Sequence, residues 1–188
     1  MGTVEPKYLI ALGVVVALAA LIVLGNPDKK YSRKAFWEDA SVASVAEVPE
    51  SALAPGNKNG PVLMWAAMSV DDPRILHALV ARGVDVNEHD GIFMGTPLTG
   101  VASEGRHPEI LSALVDLGAD IDVRVHGKQT ALMVAAQYNR APGMATRLLE
   151  LGLDPDARDA SDKTALDYAL QKNNQTVIDE IRGFKRSR

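Results

Sequence analysis

Four histidines, His77, His89, His107 and His126, and a set of recurring aspartates are the residues of this 188-residue chain with obvious chemistry to offer. Imidazole and carboxylate together hold divalent metals or share general acid–base work. No histidine here has a partner at metal-ligand or triad spacing. His89-Asp90 and His126 fall on neighbouring turns and could approach each other, but a metal needs three or four ligands with supporting groups behind them. His107 stands in a turn between helices, where a hydrogen bond to a helix end is its expected role, and His77 lies on a helix surface. Asp71, Asp72, Asp85, Asp120, Asp122, Asp154, Asp156, Asp159 and Asp162 come back with a single period, which is the mark of turns and helix starts rather than of paired catalytic carboxylates. Cysteine is absent, so there is no thiol nucleophile, disulfide or Cys-ligated metal. Serine and threonine stand in no nucleophile motif, and no glycine-rich phosphate loop is present. The sequence therefore predicts no catalytic residue, no cofactor and no metal, and it directs attention to binding.

The period is set by a phrase at positions 96, 130 and 164, a spacing of 34 residues: Thr96-Pro97-Leu98, Thr130-Ala131-Leu132 and Thr164-Ala165-Leu166, with a degenerate copy at Pro61-Val62-Leu63. Downstream of the first three copies comes a second phrase, in Leu79-Val80-Ala81-Arg82-Gly83-Val84-Asp85, Leu114-Val115-Asp116-Leu117-Gly118-Ala119-Asp120 and Leu148-Leu149-Glu150-Leu151-Gly152-Leu153-Asp154. A fixed period of this size means stacked supersecondary units. In each, Thr or Pro opens an apolar helix, a loop ends in Pro73, Pro108 or Pro142, and a second helix carries one apolar stripe at helical spacing. Gly83, Gly118 and Gly152 fall where a helix ends in a left-handed residue.

These phrases resemble the ankyrin repeat family over residues 57–188, about four repeats. The resemblance rests on T-P/A-L, the Ala66-Ala67 and Ala135-Ala136 pairs, and the L-V/L-x-x-G-A/V/L-D turn. Histidine is missing from the family's T-P-L-H position, where Met64, Thr99, Met133 and Asp167 stand, and the first three units are longer by about one residue at the inter-helix loop. The fold implied is all-α, an ankyrin-type solenoid of stacked helix-turn-helix units. The first and last units have the look of end caps, which a solenoid needs because an open end exposes its core.

Upstream, Tyr8 to Leu24 is an uncharged run rich in Leu, Val, Ala and Ile. As a helix it spans roughly 26 Å, at the short end of what crosses a hydrocarbon core of about 30 Å. A cleaved signal peptide would want a basic n-region and small residues at a cleavage site; here Glu5 opposes Lys7, and Leu24-Gly25-Asn26-Pro27 is a poor site. The expected organisation is a tail at 1–7, a transmembrane helix at 8–25, a basic juxtamembrane segment and linker at 26–59, and repeats at 60–188 (about 60–90, 91–124, 125–158 and 159–188). Within the linker, a short helix over 40–46 that caps the solenoid's open end is the alternative to a flexible tether. Lys29, Lys30, Arg33 and Lys34 against the single Lys7 favour repeats on the cytoplasmic side, with a periplasmic or extracellular placement as the alternative. Tyr31, Phe36 and Trp37 are expected at the headgroup level. A net charge of −4 argues against nucleic acid as partner.

In the ankyrin family, partners lie against the turn tips and the exposed side of the first helices. Carried over by position, the resemblance implies a protein partner, and no small-molecule substrate, at Met68, Glu104, Gln137, Tyr138 and Lys172 on the helix exits and at Ile92, Phe93, Met94, Arg124, His126, Lys128 and Arg158 on the tips. Ile92-Phe93-Met94 puts three large apolar side chains where polar ones are expected; they either mark a contact site or fold back over Trp65. Trp65 and Met133 are read as core. Tyr138 is a residue type enriched at binding hot spots. The function that follows is a membrane-anchored adaptor or scaffold; an accessory subunit of a membrane complex, or an inhibitor or immunity-type protein that blocks an enzyme, are the alternatives.

Overall fold

The computed structural model describes residues 27–56, 61–91 and 95–186. Among them the chain is helical throughout, with no strand and one isolated bridge, Val125 to Gln129. The run at 8–25 and the tip residues Ile92, Phe93 and Met94 lie outside the described residues. No helix among the described residues is long and apolar enough to cross a membrane.

The repeats form helix pairs. The first helices are α4 (Val62–Ala67), α6 (Pro97–Glu104), α8 (Ala131–Tyr138) and α10 (Ala165–Gln171), and the second helices α5 (Arg74–Ala81), α7 (Glu109–Asp116), α9 (Met144–Glu150) and α11 (Gln175–Arg186). The first helices stack directly, α4 on α6 on α8 on α10, and this is why α8 is apolar almost all round: Ala131 to Ala136 are all buried. Each opening threonine accepts from the amide three residues on, so Thr96, Thr130 and Thr164 cap α6, α8 and α10. The second helices bury one stripe, Ile75, Leu76 and Leu79, then Ile110, Leu111 and Leu114, then Met144, Leu148 and Leu149. Gly118 ends α7 at φ +96°, and the next amide, Ala119 N–H, bonds back to Leu114 C=O at 2.9 Å, closing the helix as a left-handed glycine cap does.

The recurring acids are turn formers. Asp85, Asp120 and Asp154 each accept from the amide two residues on, at 2.9, 2.9 and 2.8 Å. Neighbouring tips are joined: Asn87 donates to Gly118 C=O and accepts from Asp120 N–H, and Ala160 N–H donates to Gly127 C=O. Each tip is closed by a backbone bond, Asp90 N–H to Gly95 C=O, Val125 N–H to Gln129 C=O and Asp159 N–H to Lys163 C=O. The first tip therefore holds one residue more than the other two, and that longer tip carries Ile92-Phe93-Met94.

The linker expected at 26–59 is corrected over 27–56. A 3-10 helix (Pro27–Ser32), α1 (Lys34–Trp37), α2 (Val42–Ala46) and α3 (Glu50–Leu53) fold onto the first repeat. Trp37 is fully buried, its indole N–H donates to Tyr31 C=O at 2.8 Å, and Tyr31 in turn donates to Glu47 C=O. Val45, Val48 and Ala52 are buried beside them. Arg82 of the first repeat donates to the carbonyls of Val45 and Val48, both at 2.6 Å, and pairs with Glu50. Tyr31 and Trp37, placed at a headgroup level by sequence, are core residues of this cap, and Phe36 is half-buried with its ring edge-on to both. The reason is solenoidal: the outer face of α4 needs a cover, and the aromatics supply more apolar area than the small residues of an internal repeat. At the far end α11 covers the last repeat with Val177, Ile178 and Ile181.

Candidate partner-binding groove

The exposed sides of the first helices and the turn tips enclose one long groove of about 1180 Å³, running from Gly56 and Pro61 to Tyr168. Its floor follows from register. Trp65, Gly100, Val134 and Tyr168 each stand four residues after the first residue of an opening phrase, so they line up across the stacked first helices. Gly100 lies inside α6, where glycine costs about 1 kcal/mol relative to alanine. A Cβ there would sit 2.8 Å from Met64 Cγ, so the glycine lets the methionines of α4 fill the floor. Trp65, read from sequence as core, is only half-buried on this floor. Its buried indole N–H has no hydrogen-bond partner among the described residues. Met133 is core, 1% exposed.

The C-terminal half of the groove is polar and held in place by its own hydrogen bonds. Gln137 donates to Gln129 Oε1 and to Met133 C=O, both at 3.2 Å. Gln129 donates to the Tyr168 hydroxyl at 2.9 Å, and that hydroxyl donates to Asp159. Lys163 stands 5.2 Å over the Tyr168 ring. Burial works to raise the Asp159 pKa, but the Tyr168 hydroxyl, the Lys163 and Ser161 amides and Gln129 together hold it below the usual carboxylate range. Tyr168 moves the other way, raised by burial first and by Asp159 second. Tyr138, also on the groove lining, is 59% exposed.

Of the residues singled out by sequence, Met68, Glu104, His126, Gln137 and Tyr138 line this groove. Met68 is largely buried in its wall, and Glu104 is held by Lys34 of the cap. Arg124, Lys128, Arg158 and Lys172 are exposed and stand off its lining. Arg124 donates to Lys128 C=O at 3.4 Å, and Arg158 pairs with Asp162 at 3.3 Å, so both are partly spent on their own tips. Lys172 ends α10, and its carbonyl accepts from Arg140 at 3.0 Å. His89 and His126 line the groove together; among the described residues no three His, Asp or Glu side chains gather closely enough for a metal. His107 meets Glu109 at 3.4 Å, and His77 bonds to Pro73 C=O at 2.9 Å.

Sequence reasoning passed over Trp65, Gln129 and Tyr168. The signal was there in the alignment of the repeats: four residues on from the first residue of each opening phrase the chain runs Trp65, Gly100, Val134, Tyr168, while the next position stays small and apolar as Ala66, Val101, Ala135 and Ala169. A position that varies inside a constant frame is facing something other than the next repeat.

Comparison with known families agrees with the repeat fold. The family model described as ankyrin repeats (3 copies) matches residues 63–159. The chain belongs to the ankyrin repeat family. Ankyrin repeats are protein-interaction modules, in general without catalytic activity. Among curated proteins, Ankyrin repeat and SOCS box protein 6 of Mus musculus is 31% identical over 83 residues, covering 42% of this chain and 20% of that protein. Its counterpart from Homo sapiens is 36% identical over 84 residues, with the same shares. The chain thus spans about a fifth of the length of these curated relatives.

Proposed function

We infer that this protein is a membrane-anchored protein-interaction module, an adaptor or scaffold. Residues 8–25 hold it in a bilayer, and a protein partner lies in the groove against Met68, Glu104, His126, Gln137 and Tyr138. Arg124, Lys128, Arg158, Lys172 and the apolar residues Ile92, Phe93 and Met94 are further contacts with the same partner. The observation that carries this reading is the groove itself. It has a mostly apolar floor, a pre-ordered polar half, and an aromatic side chain on its lining that stands 59% exposed. A rigid aromatic beside ordered hydrogen-bonding groups is the usual composition of a binding hot spot. The basic residues after the apolar run favour the cytoplasmic side for the repeats.

The test has two parts on a C-terminally tagged full-length chain. Protease added outside sealed cells should spare the repeats, with full-length protein in the membrane fraction. Capture on the tag in mild detergent should then bring down a partner that Tyr138→Ala/Gln137→Ala releases. Digestion from outside would reverse the orientation, and a chain shortened after the apolar run would remove the anchor. A partner retained by the double variant would move the site off the groove.

A further inference from the structure

The folded cap changes what the N-terminus does. The uncharged run ends at Leu24, and only Gly25 and Asn26 separate it from Pro27, where the cap begins. Three Cα–Cα steps reach at most about 11 Å. A flexible linker over 26–59 would have allowed the repeats an r.m.s. excursion of about 30 Å. With the run in a bilayer, the cap begins instead at the outer edge of the headgroup layer, which is about 5–8 Å deep on each side.

The residues that arrive there are basic. Lys29, Lys30 and Arg33 are exposed on the first turns of the cap, with Asp28 among them in sequence and Glu47 close enough to Lys30 to act on its charge. Lys34, next in line, is engaged by Glu104 and is not counted. Lys30 sits 4.6 Å over the Tyr31 ring, and Tyr31 is buried in the core, so this charge rides on a rigid platform. Glu38 and Asp39 are exposed further on, after α1. At physiological salt the screening length is about 8 Å, so basic groups held at the headgroup boundary feel the surface charge of an anionic leaflet nearly in full.

We propose that this turn is a docking foot: Lys29, Lys30 and Arg33 rest on anionic lipid headgroups and hold the solenoid at a set attitude to the membrane. The inference rests on the anchor reading above. Its consequence is that the groove is offered at a constant height over the bilayer. The partner is then one whose binding segment lies at that height, in the membrane protein or membrane surface class.

Because the chain has no cysteine, single labels can be placed at will. Full-length chains carrying an environment-sensitive fluorophore at Ala35→Cys on the cap, or at Gln171→Cys at the far end, are reconstituted into two kinds of vesicle. One is neutral phosphatidylcholine, and the other is phosphatidylcholine with phosphatidylserine at three to one. Each also holds a headgroup spin-labelled lipid as quencher. Quenching at position 35 is expected to exceed that at position 171 at least threefold in anionic vesicles. It should fall by half or more when Lys29→Glu and Arg33→Glu are added, while the same reversal leaves neutral vesicles unchanged. Lys29→Gln with Arg33→Gln should give an intermediate value with an unaltered melting temperature. Equal quenching at the two ends, or quenching at position 35 that ignores lipid charge and charge reversal, overturns the foot while leaving the anchor standing. The anchor is read separately: chains that fail to float with neutral vesicles overturn it, and the foot with it.

Discussion

At the scale of single residues, two buried asparagines that carry no motif do much of the joining. Asn139 is 4% exposed and donates to Val101 C=O at 3.3 Å and Gly105 C=O at 3.0 Å, the end of the preceding first helix. Asn174, fully buried, does the same for Ala136 and Asn139. Val101 C=O already accepts from Gly105 N–H, whereas the Gly105, Ala136 and Asn139 carbonyls stand at a helix end, where a side chain from the next repeat satisfies them. We expect Asn139→Ala to lower unfolding stability by about 1–3 kcal/mol in urea denaturation, the cost of leaving buried acceptors unmet. A change within error would mean that water or relaxation replaces the bond. Asp159 provides a second residue-scale check. Its folded pKa is depressed, so the stability it contributes is present above the ordinary carboxylate range and is lost as pH falls through the folded value. Carbon-detected NMR titration should find its midpoint below that of an exposed aspartate. Tyr168→Phe should bring it part of the way back, since the Lys163 and Ser161 amides remain. A midpoint indifferent to Tyr168 would break the proposed polar chain.

The elements of this protein are short, most of them two turns, and isolated helices of that length are not stable in water. Their ends therefore matter more than their interiors. Thr130 caps α8 and also receives a contact back from Met133, so its loss exposes orphan amides in the middle of the stack. Thr130→Ala is expected to cost about 1 kcal/mol, with Thr130→Ser recovering most of it in the same denaturation series. The cap makes the larger claim at this scale. Trp37→Ala should remove about 3–5 kcal/mol of local packing, and hydrogen exchange should show protection lost over 27–56 with the last repeat unaffected. Exchange that is fast across 27–56 in the unmodified protein would return the segment to a linker and would remove the basis of the docking foot.

For the whole molecule, a solenoid makes contacts only between neighbours, so stability and binding can be separated by position. Tyr138 is exposed, whereas Met133 and Val134 one turn before it on α8 are buried. Tyr138→Ala should therefore leave the melting temperature within about 1 °C while weakening partner binding by about 2 kcal/mol, roughly thirtyfold in Kd. A fall in both together would class Tyr138 as structural. The curated relatives carry repeats within chains about five times as long as the matched part, so the repeats are a module that serves different surroundings.

Repetition is what made the fold legible from sequence. Three copies of a phrase at one spacing establish the helix pairs, the threonine caps, the glycine ends and the acid turns, because each is dictated within its own unit by local chemistry. The absence of cysteine and of any nucleophile motif likewise needs no structure. What lies between units was not legible. Trp65 reads as core until the stacking shows Gly100 beside it and leaves its ring half-open to the groove. Tyr168 and Asp159 are separate letters until the third tip folds over α10. Of the cap, the sequence offers only a helix over 40–46 as an alternative to a linker, because residues 27–56 have no repeat to be compared with and their small, Pro-broken sequence has linker composition. Only the unmet apolar face of α4 gives Trp37 and Tyr31 a reason to be buried, and that face belongs to the tertiary structure.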